Sequence, residues 1–132
     1  MRMLDEDADS NDVAVSASDQ EAINAFSRFN SRISEAEDEL KAKKEEKEAT
    51  DEVVMELELV DEEEQVPYKM GDSFIHILQP QALEFLERDS KRLDTDIEEL
   101  KKTVDECEEG MEKLKVVLYG KFGNNINLER GD

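Results

Sequence analysis

The chain has no tryptophan, one histidine, one cysteine and two prolines in 132 residues, and only 5% of its residues are aromatic. So little aromatic area cannot fill a thick globular core, because Phe, Tyr and Trp supply the largest buried surfaces. One cysteine closes no internal disulfide, which points to an intracellular setting. No apolar run approaches the roughly 20 residues that span a bilayer. Nor do the acidic first residues contain the apolar stretch of a signal peptide. Cations are scarce as well: 17 Lys and Arg stand against 37 Asp and Glu, a net charge of −20. Phosphate backbones and anionic lipid surfaces both require clustered Lys and Arg, so neither is an expected partner. The expected location is the cytoplasm, with a nuclear pool allowed.

Catalytic chemistry is missing too. His76 stands alone, with no nucleophile or metal cluster around it, and reads as an ordinary strand residue. The chain contains no glycine-rich phosphate loop. Asp5, Asp7 and Asp9 resemble the opening of a calcium loop, but Ser10 and Ser16 occupy the positions that need Gly and Glu. No enzyme, metal or cofactor is expected.

What the sequence does contain is periodicity. Ser18 with Glu21 fits a capping box, and no Gly or Pro interrupts the segment from Ser18 to Val60. Within it Phe26, Ile33, Leu40, Lys47 and Val54 recur every seven residues. A second row holds Ala22, Phe29, Ala36, Lys43, Thr50 and Leu57. Beyond Pro80, a first-turn proline, run Leu83, Ser90, Ile97, Val104, Met111 and Leu118, interleaved with Leu86, Leu93, Leu100, Cys107 and Leu114. These are the seams of two heptad-patterned helices. The polar middle of the first seam, Lys43, Lys47 and Thr50, should pack more loosely than its ends.

One offset aligns the two seams head to tail. It pairs Leu57 with Leu83, Val54 with Leu86, Leu40 with Leu100, Ala36 with Val104, Ile33 with Cys107, Phe29 with Met111 and Phe26 with Leu114. An intramolecular antiparallel coiled coil satisfies all these pairs. A parallel homodimer is the second choice, since heptads alone do not select the partner. Between the helices, Val66–Ile77 is rich in β-branched and aromatic residues, with Gly71-Asp72 at a tight-turn position. The expected fold is therefore mainly α: a long antiparallel two-helix coiled coil with one central β-hairpin. The expected organisation is an acidic disordered tail over 1–17, a helix over about 18–60 and a loop with hairpin over about 61–78. A second helix over about 79–122 and a flexible tail over 124–132 complete it.

Two surfaces carry the functional expectation. A lone hairpin is marginal in water, and Val66, Tyr68, Met70, Phe74, Ile75 and Ile77 leave apolar surface with no third layer to cover it. These residues are the expected subunit-assembly site, pairing through strand edges. At the far end of the coiled coil, Ile23, Val117, Tyr119, Phe122, Ile126 and Leu128 form an apolar cluster suited to transient hydrophobic binding. The competing expectation is a structural tether or scaffold subunit without such binding.

Three stretches carry a resemblance. Asp19-Gln20-Glu21-Ala22-Ile23-Asn24-Ala25-Phe26-Ser27-Arg28 opens the first helix, and Pro67-Tyr68-Lys69-Met70-Gly71-Asp72-Ser73-Phe74-Ile75 forms the centre. The end reads Leu118-Tyr119-Gly120-Lys121-Phe122-Gly123-Asn124-Asn125-Ile126-Asn127-Leu128-Glu129. Over about residues 18–129 the chain resembles β-type subunits of the prefoldin family. It departs from them at Leu78-Gln79-Pro80, where related sequences tend to start the helix with Ser. The resemblance implies a heterohexamer of two α-type and four β-type subunits. Their hairpins would form a double β-barrel platform from which six coiled coils hang. It further implies capture of unfolded actin and tubulin at the coiled-coil tips and delivery to the cytosolic group II chaperonin without ATP.

Overall fold

A computed structural model describes residues 2–3, 16–123 and 126–127. In chain order the elements are β1 (Arg2–Met3), α1 (Ala17–Glu58), β2 (Gln65–Met70), β3 (Ser73–Leu78), α2 (Gln79–Phe122) and β4 (Ile126–Asn127). The described chain forms two compact units, Met1–Asp38 with Lys101–Asp132, and Glu39–Leu100. In each, a segment of α1 pairs with a segment of α2 running the opposite way.

The first unit holds the tightest core. Phe26, Ile33 and Leu118 are essentially inaccessible to solvent, and Ile23, Cys107, Met111 and Phe122 are buried with them. Ala22, Phe29, Val104, Leu114 and Tyr119 pack against this cluster. Nearly all belong to the heptad seams; Ile23, Phe122 and Tyr119 do not. At the start of α1, the N–H of Asp19 donates to Ser16 Oγ at 3.1 Å and the N–H of Ser16 donates to Asp19 Oδ2 at 3.1 Å. The capping box thus uses Ser16 and Asp19 rather than Ser18 and Glu21. Starting one residue earlier lets one pair of side chains satisfy two otherwise orphaned donors. Lys121 donates to the same Asp19 carboxylate from α2. That hydrogen bond, followed by those from Ser16, holds the carboxyl below the usual aspartate range.

This junction brings the beginning of α1 beside the end of α2, and the flanking backbone pairs. Arg2 lies opposite Asn127 and Met3 opposite Ile126, making β1 and β4 a two-residue antiparallel ladder. These dipeptides are strand, whereas the sequence suggests disordered tails there. The calcium-loop mimic, beginning at Asp5, lies outside the described residues apart from Ser16.

Gly110 lies inside α2, where glycine costs about 1 kcal/mol relative to alanine. A Cβ there would stand 2.9 Å from Phe29 Cε2 and Cζ, so the Phe29 ring occupies the space a side chain would need. Gly110→Ala is therefore expected to forfeit the usual helix-propensity gain and to leave stability unchanged or reduced. In a Phe29→Ala background the same change should stabilise by about 1 kcal/mol. Equilibrium urea unfolding of the four proteins measures this coupling.

The second unit begins at the looser part of the seam. Lys43 and Lys47 occupy seam positions and are each about one-third exposed. Their stems lie along the interface and their ammonium groups reach Asp96, at 3.6 Å, and Asp94. Thr50 Oγ1 donates back to the Glu46 carbonyl at 2.9 Å. Leu93 and Ile97 are buried, while Val54, Leu57, Leu83 and Leu86 are half-buried. The α1 helix closes with a tightened turn in which Leu59 and Val60 donate to the carbonyls of Glu56 and Leu57.

Gln79 joins three elements at this point. Only 5% exposed, it donates its side-chain amide to the Leu57 carbonyl at 3.0 Å and its backbone N–H to the Glu64 carbonyl at 3.1 Å. The side chain of Gln81 reaches back to the N–H of Leu78 at 3.3 Å, doing for α2 what a capping residue does. The Leu78-Gln79-Pro80 segment therefore starts α2 without a Ser cap. Gln79→Ala should cost about 1–2 kcal/mol, since it strips a partner from a half-buried carbonyl and opens a void. Thermal unfolding followed by circular dichroism reads that loss.

Candidate functional site

The strands β2 and β3 pair antiparallel from Gln65–Leu78 to Met70–Ser73, with Gly71-Asp72 left as the two-residue turn. Gly71 adopts φ +62°, a conformation glycine reaches without steric cost. Because partners across an antiparallel ladder project to the same face, the register sorts the hairpin into two faces. One carries Val66, Tyr68, Met70, Ser73, Ile75 and Ile77. The other carries Gln65, Pro67, Lys69, Phe74, His76 and Leu78.

The first face is partly covered by the chain itself. Val66 is 8% exposed, and Tyr68 packs its ring 5.4 Å from that of Phe85 on α2. The Tyr68 hydroxyl donates to Asp89 Oδ2 at 3.2 Å, and Arg92 pairs with the same carboxylate at 3.2 Å. Burial, then the negative charge of Asp89, pushes the phenol above its ordinary pKa. Ile77 is half-buried. The expectation that nothing within the chain covers the hairpin is thus corrected: Val66 is buried, and α2 packs Phe85 against Tyr68. Exposed apolar surface is concentrated on Phe74, Met70, Leu78 and Ile75, at 65%, 55%, 42% and 37%. Of the six expected assembly residues, Met70, Phe74 and Ile75 are exposed, Val66 is buried, and Tyr68 ties the hairpin to α2. Leu78 was missed, because a residue at a strand–helix junction reads equally well as a helix start. Leu59, 89% exposed in the loop after α1, has no periodic signal and was also missed.

The expected far-end cluster divides differently. Ile23 and Phe122 are 6% and 3% exposed and belong to the core of the first unit. They are not an exposed surface, which corrects the sequence expectation for both. Tyr119 is half-buried against that core, with Lys115 Nζ 5.8 Å from its ring centroid. Val117 is 63% exposed, and its neighbour Val116, not anticipated, is 67% exposed. Ile126 lies in β4, and Leu128 is outside the described residues.

Cys107 is buried opposite Ile33 and packs as a small apolar residue. Among the described residues no group of three or more His, Cys, Asp or Glu side chains is arranged to hold a metal. No described helix is long and apolar enough to cross a membrane.

Two long helices joined by a β-hairpin that leaves apolar side chains exposed on both of its faces define a coiled-coil subunit. A family model described as "Prefoldin subunit" matches residues 20–125, and the chain belongs to the prefoldin subunit family. It is 44% identical over 120 residues to prefoldin subunit 4 of Saccharomyces cerevisiae, covering 91% of this chain and 93% of that protein. It is 39% identical over 119 residues to prefoldin subunit 4 of Homo sapiens, covering 89% of each. Its fold matches the prefoldin beta subunit from Thermococcus strain KS-1 with a TM-score of 0.70 at 11% identity, covering 81% of this chain and 94% of that one. The chain is thus a prefoldin co-chaperone subunit whose partners are other prefoldin subunits.

Proposed function

We propose that this chain is one β-type member of a cytoplasmic heterohexamer of two α-type and four β-type subunits. The hexamer captures unfolded actin and tubulin and hands them to the group II chaperonin without ATP or any catalytic step. The exposed apolar side chains of the hairpin, Phe74 on one face and Met70 on the other, support the assembly role. A monomer seldom leaves so much apolar surface unpartnered, and strands readily add to strands.

The observation that carries client capture is the exposed pair Val116 and Val117 near the end of α2. Two valines are a weak site alone, but weak contacts repeated on several subunits give strong avidity. With Ile23 and Phe122 committed to the core, capture falls to surface that the helix pairing leaves over.

Val116→Ser with Val117→Ser, in the assembled complex, should weaken capture of chemically unfolded actin by roughly tenfold, from the lost apolar burial. Assembly and melting temperature should stay unchanged. Light-scattering assays of aggregation suppression measure the effect. Full suppression by the double variant would favour a tether subunit that makes no client contact.

A further inference from the structure

Charge is spread unevenly along this acidic chain. Residues 22–34 of α1 and 113–122 of α2 contain no Asp or Glu but hold two Arg and three Lys, so together they carry +5 in a chain of −20. Both stretches lie in the first unit, where they supply most of its core. Residues 22–34 cover about 20 Å of helix. The Debye length at physiological ionic strength is about 8 Å, so near the middle of this stretch most of the acidic chain is screened. Local cations, and not the net charge, then decide what approaches.

Some of these cations are already engaged. Lys121 is held by Asp19, and Lys113 stands 3.7 Å from Glu109. Arg28 and Arg32 are exposed one turn apart, and neither enters an ion pair among the described residues. With Asn24, Ser27, Ser31 and Glu35 they line an open groove of about 540 Å³. Apolar surface adjoins the two guanidiniums. Heptad positions put Ala25 and Arg32 on the flank of the seam that Gly110 and Val117 occupy from α2. The Phe29 ring against Gly110 agrees with that placement. Along this flank exposed Val117 lies beside Ala25, and about two turns on Arg32 lies beside Gly110, with Arg28 between. Glu21 bounds the flank at one end, and Glu35 with Glu106 bounds it at the other.

We propose that this flank selects unfolded client segments in which carboxylates accompany apolar residues. Val116 and Val117 cover the apolar side chains, and Arg28 and Arg32 pair with the carboxylates. Arginine suits the task because its planar fork takes a carboxylate bidentately. The proposal rests on the reading of Val116 and Val117 as client-capturing surface and adds a selection by charge. That selection runs against the net charge, since a chain of −20 acting as a whole would favour cationic segments.

Three disordered peptides test it, identical in their leucines and carrying Glu, Lys or Ser at the positions between. Fluorescence anisotropy reads their binding to the assembled complex at physiological salt, and native mass spectrometry verifies that each variant assembles. Arg28→Gln with Arg32→Gln should weaken binding of the Glu peptide by roughly threefold to tenfold, the effect of two exposed ion pairs, and leave the Ser peptide unchanged. In about 1 M salt, variant and wild type should bind the Glu peptide alike. A photo-crosslinking residue in place of Ser31 reports from this subunit alone and should label the Glu peptide more than the Lys peptide. Unchanged Glu-peptide binding by the double variant at physiological salt, or equal labelling of the Glu and Lys peptides, would overturn the proposal. Tighter Glu-peptide binding after deletion of residues 4–15 would also overturn it, assigning the arginines to the chain's own acidic segment. The reading beneath it fails separately. If Val116→Ser with Val117→Ser binds the Ser peptide as well as wild type does, the valines capture nothing and the proposal falls with them, even where the arginine effect persists.

Discussion

Phe26→Ala is expected to lower the unfolding free energy by about 3–5 kcal/mol, the usual loss when a fully buried phenylalanine is cut to alanine. Phe26 is 2% exposed and lies in the cluster with Ile33, Met111 and Leu118, all supplied by α1 and α2. A two-helix core is one side chain deep, so a cavity opened there has few neighbours that can relax into it. Against a typical stability of about 5–15 kcal/mol, such a loss removes a large part of what holds the chain folded. Chemical denaturation followed at 222 nm provides the measurement, with Val117→Ala as a surface control expected within about 0.5 kcal/mol of wild type. A loss under about 1 kcal/mol for Phe26→Ala would mean that the seam does not carry the core.

Phe74→Asp is expected to act in the opposite place. The side chain is 65% exposed in the isolated chain, so a carboxylate there should barely change its melting temperature. Placed against another subunit, the same carboxylate would be buried without a partner, and an unpaired buried charge costs several kcal/mol. Incorporation into the complex should therefore fall by roughly a hundredfold or more. Size-exclusion chromatography with the partner subunits separates the outcomes: loss of co-elution with an intact helical spectrum is expected. Unchanged co-elution would remove Phe74 from the interface.

The two substitutions mark the line between what the sequence discloses and what it hides. The seams were legible because heptad spacing is a geometric constraint. Every seam position from Ala22 to Leu57 and from Leu83 to Leu118 is buried or half-buried. The hairpin was legible for a similar reason, since Gly71-Asp72 between β-rich runs leaves few alternatives. Helix ends were not legible. There the strict alternation would place Ala22 and Lys121 inward, but Ala22 is too small to fill the space and Lys121 turns out to Asp19. Ile23 and Phe122, one residue along, fill it instead. Ser16 likewise displaced Ser18 as the cap because two capping patterns overlap, and only the backbone decides between them. Gly110 stands inside α2 for a reason no sequence pattern discloses, since only the Phe29 ring shows why no side chain fits there. Exposure was the hardest property to foresee. Val66 and Phe74 look equally apolar, yet one is 8% exposed and the other 65%.

The central claim is that the hairpin, and not the paired helices, joins this chain to its siblings. Replacing residues 65–78 with a glycine-serine linker of equal length, then mixing the variant with the other prefoldin subunits, tests it by native mass spectrometry. The account predicts a helical chain that remains unassembled, with no complex containing it. A full-mass complex that includes the variant would contradict it.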